Sequence, residues 1–216
     1  MADSNPLLSE DSRDWERLIE SLGPASLLVA IEGRMSAELR ARLSAEDLLQ
    51  DTLLHLWRDR ARIEWRGARA FRTLVLSMAD NRIRDAADHE FALKRGGGHG
   101  LVSTDPFPSD GPRSSAGALP AASTTPSRVA IRREQADAMR EALSGLPDEL
   151  REIVRLRAFE QMPLEGIAER LGLGVEAVRH RFRKGSALYA RRLRSMLDTG
   201  TSAPEFATDP RSNASS

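Results

Sequence analysis

Between Leu164 and Leu193 the apolar residues change phase once, and that change limits the fold more than any other feature of the chain. Leu164, Ile167, Ala168 and Leu171 fall at i, i+3, i+4 and i+7, the stripe of a short helix. Gly172 interrupts it, and glycine is the usual residue just past a helix end. Val175, Val178, Phe182, Gly185, Tyr189 and Leu193 then mark a second, longer helix, whose other face carries Arg179, His180, Arg183 and Lys184. From Val175 to Arg194 there are seven Lys/Arg against one acid, Glu176. A helix–turn–helix with a basic second helix suits placement of that helix in a major groove. The plainer alternative is a helical hairpin with a solvated basic face.

The rest of the chain narrows the choice. At 216 residues it allows one or two domains, each able to bury a core. Thirty-two basic residues balance 32 acidic ones, which excludes a polybasic coat and makes the segregation of charge along the chain the informative quantity. There is no cysteine, which removes disulfides, thiolate zinc sites and cysteine nucleophiles and suits a reducing, cytoplasmic location. The acidic start, MADSNPLLSEDSRDWERL, has no apolar core of a signal peptide, and no run of about 18 apolar residues predicts a membrane span. His55, His89, His99 and His180 show no metal-binding spacing, Lys184–Ser186 lacks the glycine of a phosphate loop, and Gly96–Gly100 follows no strand. No metal, cofactor or enzymatic activity is therefore expected.

Period-2 alternation is almost absent, so the expected fold class is all-α: two helical domains joined by a flexible linker, the second containing the helix–turn–helix. Residues 1–10 are expected to fray. Trp15, Leu18, Ile19 and Leu22 give an amphipathic helix stopped by Gly23-Pro24, and Leu27 to Leu39 continue the apolar pattern. Ser44 and Asp47 form a capping pair ahead of a helix buried through Leu49, Leu53, Leu56 and Trp57. From Ser44 to Trp57 there are three acids and no Lys or Arg. A further helix turns Phe71, Leu74, Val75 and Met78 inward and leaves Arg72, Arg82 and Arg84 outside. Residues 96–127 hold 17 Gly, Pro and Ser and only three charges, the composition of a linker. The domains then run over 11–95 and 128–197. The second opens with a helix through Ile131, Ala138 and Met139 and a start at Pro147, and 198–216 form a disordered tail.

Five segments carry a resemblance: DLLQDTLLHLW (Asp47–Trp57), FRTLV with ADNRIRD (Phe71–Asp85), LPDELREI (Leu146–Ile153), LEGIAERLG (Leu164–Gly172) and VRHRFRKG (Val178–Gly185). In that order they resemble the extracytoplasmic-function (ECF) group of bacterial RNA polymerase sigma factors, over nearly the whole chain except termini and linker. The resemblance implies a promoter-recognition subunit whose region 2 (11–95) binds core RNA polymerase and the minus-ten element and whose region 4 (128–197) reads the minus-thirty-five element. It assigns polymerase contact to Asp47, Leu48, Gln50, Asp51 and Leu54. An acidic helix face suits a basic partner and repels DNA. Contact with minus-ten DNA falls to Arg72, Asn81, Arg82 and Arg84. Contact with minus-thirty-five DNA falls to Glu176, Arg179, His180, Arg181, Arg183 and Lys184. Partners are thus core polymerase and promoter DNA, with an anti-sigma protein left open and no membrane insertion. Leu53, Trp57 and Phe71 read as core, and Trp65 as a residue that could stack on a base. Gly174 stands where the family has a Ser or Thr cap and Gly166 where it has an acid.

The competing reading is a stand-alone helix–turn–helix regulator acting as a dimer, which has no use for the acidic DLLQD helix. In this family the two promoter elements lie about one and a half to two duplex turns apart, roughly 50–70 Å. A 32-residue coil has a resting span of roughly 30 Å. The linker therefore predicts a compact free state, with the domains packed and both binding faces hidden, and an extended polymerase-bound one.

Overall fold

The computed structural model describes residues 5–9, 11–94 and 126–200. Among them are nine α-helices and no strand: α1 (Ser12–Ser21), α2 (Pro24–Glu32), α3 (Ala37–Arg40), α4 (Ala45–Asp59), α5 (Ala68–Lys94), α6 (Pro126–Ser144), α7 (Asp148–Val154), α8 (Leu164–Leu171) and α9 (Val175–Gly200). The all-α expectation holds.

Local chemistry sets the helix starts. Asp11, Ser36 and Ser44 cap α1, α3 and α4 by accepting from Arg13 N, Leu39 N and Asp47 N, the last at 3.0 Å. Gly23, at φ 69°, turns the chain into the proline that opens α2. Gly172, at φ 64°, ends α8 in the left-handed conformation and opens the tight turn to α9. Gly174 then accepts the first α9 bond from Val178 N at 3.0 Å with no side chain to help.

In the first half α2 is buried nearly all round, from Pro24 to Ile31, and α4 and α5 close on it. Trp15 anchors an aromatic cluster, edge-on to Trp57 (ring centroids 5.1 Å) and Phe71 (6.0 Å), with Trp65 against Phe71. Trp57 is half-buried rather than fully enclosed and carries Arg60 over its ring at 3.9 Å. Trp65, half-buried against Phe71, is a wall of this cluster. The second half is built on α7 and α9 in contact, with Ile153, Leu156, Ile167, Ala168 and Val178 forming a small core beneath the helix–turn–helix.

The halves are not separate bodies. The α6 helix lies on α2, and buried Ala136, Leu143, Leu146, Val154 and Phe159 join the same core as Trp15 and Leu27. A π-turn, Arg155–Phe159, follows α7 and also touches α2.

Several expectations need correction. Residues 5–9 are not frayed: Asn5 caps a 3-10 turn over Pro6–Leu8 and Leu7 is fully buried. The apolar stretch 27–39 is two helices, parted after Glu32. Helix α6 starts at Pro126, two residues inside the expected linker, and Ile131 is 52% exposed. Its buried side runs through Ala136, Ala142 and Leu143, and Met139 is half-buried. Residues 96–125 of the linker and 201–216 of the tail lie outside the described residues.

Candidate nucleic-acid interface

The α4 helix sorts its residues by phase. Asp47, Gln50, Asp51 and Leu54 fall at i, i+3, i+4 and i+7 and form one outward stripe, the first three exposed and Leu54 half-buried. Leu48 lies off that stripe at 5% exposure, inside the core. It is corrected from a surface contact to a core residue. The stripe is acidic, and Asp51 is paired with Arg82 of α5.

Along α5 the expected DNA contacts do not form one face. Arg72 sits four residues before Leu76, seven before Ala79 and eleven before Ile83, all buried, and is itself 3% exposed. Its guanidinium donates to Leu22 O in the first half and, at 2.9 Å, to Phe159 O in the second. Burial, and then the nearby Arg34 charge, push its pKa down to about 10. Arg72 is thus corrected from an outward cation to a buried bridge between the halves. Arg82 and Arg84 are two positions apart, about 200° around a helix. Arg82 leans on Asp51, whereas Arg84, exposed, donates to Asn81 Oδ1 at 3.0 Å. Asn81 is half-buried beside it.

The recognition helix is the clearest surface. Glu176, Arg179, His180, Arg183 and Lys184 fall at i, i+3, i+4, i+7 and i+8 of α9, all exposed, opposite buried Val178 and Gly185. Glu176 pairs with Arg179 one turn on. Arg181 leaves the group: half-buried, it points to Glu149 of α7 at 3.8 Å. The close approach of α9 to α7 depends on Gly185, where a Cβ would stand 2.8 Å from Val154 Cγ2. A stripe of three cations at the start of a helix after a tight turn can reach both base edges and phosphates in a major groove.

Sequence reasoning missed a third set of residues, those joining the halves. Arg34 binds Leu76 O (3.1 Å), Asp80 (2.9 Å) and Glu160 (3.3 Å), with Glu160 only 7% exposed in its side chain. At Arg72 an open cleft of about 590 Å³ is lined from both halves and also takes in Arg69 and Arg157. The one available signal was matched spacing, Glu16 and Glu20 in α1 against Arg128 and Arg132 in α6.

Among the described residues no group of three His, Asp or Glu could hold a metal ion, and no helix is long and apolar enough to cross a membrane. Compared with known families, residues 25–90 match Sigma-70 region 2 and residues 136–187 match Sigma-70, region 4. Comparison with curated proteins gives no match.

Proposed function

Because the chain belongs to the sigma-70 family, in its ECF-like form, we propose that its two halves divide promoter recognition through the surfaces just described. The chain is a promoter-recognition subunit that binds core RNA polymerase and directs transcription initiation, and the stand-alone dimeric regulator is not favoured. Families of this kind are not enzymes. Region 2, residues 11–95, meets polymerase through Asp47, Gln50, Asp51 and Leu54 and minus-ten DNA through Asn81, Arg82 and Arg84. Region 4, residues 128–197, reads the minus-thirty-five element with Glu176, Arg179, His180, Arg183 and Lys184, while Arg181 steadies α9 on α7. A cytoplasmic location goes with this role, and an anti-sigma protein would compete for the same stripes.

One observation carries the assignment: an exposed acidic stripe on α4 and an exposed basic stripe on α9 stand in a single chain. The negative charge of the first repels DNA and the positive charge of the second attracts it. Asp51→Arg is expected to weaken retention of the chain on core polymerase with its helical content unchanged. Arg179→Ala with Arg183→Ala is expected to spare retention and reduce promoter binding by the holoenzyme, by about 1–3 kcal/mol for each base contact or about one unit of salt slope for each phosphate contact. Retention unchanged in the first, or affinity and salt slope both unchanged in the second, would remove the corresponding surface from the assignment.

A further inference from the structure

The packing of the halves does not hide the α4 and α9 stripes, contrary to expectation. What it encloses is the cleft at Arg72, and the lining of that cleft is of one charge. Arg69 and Arg72 of α5 and Arg157 of the π-turn line it, and among the described residues no Asp or Glu does. Arg72 and Arg157 donate to the carbonyls of Leu22, Phe159 and Met162 rather than to a carboxylate, and Arg69 is exposed. Arg72 is 3% exposed, yet its Nε is buried with no partner. The cleft also takes in Ala68 and Arg69, the first two residues of α5, whose N–H groups have no acceptor within the helix. The first turn of α5 holds no acid to meet them.

Such a cluster lacks a counter-charge. Burial and the Arg34 charge hold the pKa of Arg72 down to about 10, as expected of a cation that no anion neutralises. Gln161 forms another part of the wall, and its Oε1 is also buried without a partner. Its backbone stands at φ 56°, the one non-glycine residue in the left-handed region among those described. Glycine would take that conformation without strain, so the chain carries a strained residue whose side-chain oxygen satisfies nothing in the protein. Phe182 of α9 adds an aromatic wall.

We propose that this cleft binds a nucleoside phosphate. The phosphate lies between Arg69 and Arg157 at the start of α5 and supplies the counter-charge that Arg72 lacks. The nucleoside donates an N–H or O–H to Gln161 Oε1 and lays its base against Phe182. Size and chemistry favour this class over a bare anion. The cleft, about 590 Å³, is of the size that takes small organic ligands, roughly 300–1,000 Å³. Inorganic phosphate would answer the arginines but leave Gln161 Oε1, an acceptor, without a donor. The site involves neither polymerase nor promoter, so it stands or falls apart from the promoter reading.

The test titrates the full-length chain with the diphosphates of adenosine, guanosine, cytidine and uridine, with inorganic phosphate, and with a short oligothymidylate. Binding is read by calorimetry and by thermal melting. At least one nucleoside diphosphate should bind one to one and, at about a hundred times its Kd, raise the melting temperature by about 5–10 °C. Arg69 is exposed, so Arg69→Ala should spare the fold and weaken that binding about tenfold or more, whereas Arg13→Ala, an exposed arginine outside the cleft, should leave it unchanged. Gln161→Gly relieves the backbone, so it should not lower the melting temperature of the free chain. It should weaken the nucleoside diphosphate about fivefold and leave inorganic phosphate as it was. Failure of all four diphosphates to bind would overturn the site. Inorganic phosphate binding as tightly as they do would overturn the nucleoside. Tighter binding of the oligothymidylate, lost with Arg69→Ala, would replace the free nucleotide by a nucleic-acid strand. An equal loss in Arg13→Ala would reduce the effect to overall charge and overturn the proposal.

Discussion

Asp51 and Arg82 hold each other, although one lies in the stripe proposed to meet polymerase and the other among the residues proposed to meet DNA. On that proposal, a basic group of polymerase taking Asp51 would release Arg82 towards phosphate. Asp51→Asn should therefore raise the affinity of the isolated chain for duplex DNA about two- to fivefold, the worth of one exposed pair, as read by fluorescence anisotropy. No rise would mean that the pair does not restrain Arg82. Tyr189, the only tyrosine, stacks edge-on against Phe159 at 5.8 Å, and burial pushes its pKa from about 10 up to about 12. Folding favours the neutral phenol, so its contribution to stability is whole below pH 10 and is lost as the pH climbs through about 12. Ultraviolet titration should show phenolate appearing near the upper value in the folded chain and near the lower one in denaturant. Arg72 was legible from its helical phase with Leu76, Ala79 and Ile83. Its charge drew attention to the surface, and only the two carbonyls that satisfy it explain the burial.

Glycines mark opposite demands in the two helices of the helix–turn–helix. At Gly166 of α8 an added Cβ would meet only Met162 and Pro163 at 3.5 Å or beyond, so Gly166→Ala should stabilise the chain by about 0.5–1 kcal/mol through helix propensity. At Gly185 the same change would press on Val154 and Leu150, and the overpacking of about 1–3 kcal/mol exceeds the roughly 1 kcal/mol that propensity returns. Thermal melts of the two variants should therefore shift in opposite directions, and a shift of the same sign would contradict the packing of α9 on α7. At this scale the sequence was informative wherever the cause is local: the Ser44 cap, the stop at Gly23-Pro24, the turn at Gly172, the stripe of α9. It misled at α6, where Ile131 outranks Ala136 in apolarity yet stays exposed. The inward side of α6 is chosen by close approach to α2, which favours small residues, and that choice depends on a helix about a hundred residues away.

At the scale of the molecule, helical class and the order of the regions followed from periodicity and motif order, whereas the contact between halves depends on pairings such as Arg132 with Glu20 that local pattern does not encode. Chain length nevertheless bounds what the halves can do. Residues 95–125 can reach about 105 Å when fully extended, enough for two separated promoter elements, whereas ten residues reach about 35 Å. An equal-length Gly/Ser replacement of residues 98–125 should preserve initiation, and shortening residues 96–125 to about ten should abolish it at two-element promoters. Initiation by the shortened chain, measured as transcript from such a promoter, would show that the halves need not separate. The last helix gives that separation a direction. At 1.5 Å per residue α9 is about 39 Å long. Its first turns present the cations proposed for the groove, and farther along it packs against α6, which in turn lies on α2. A single unbroken rod transmits rotation from one end to the other, so α9 acts as a lever: any swing that unseats α6 re-aims the reading tip by the same angle.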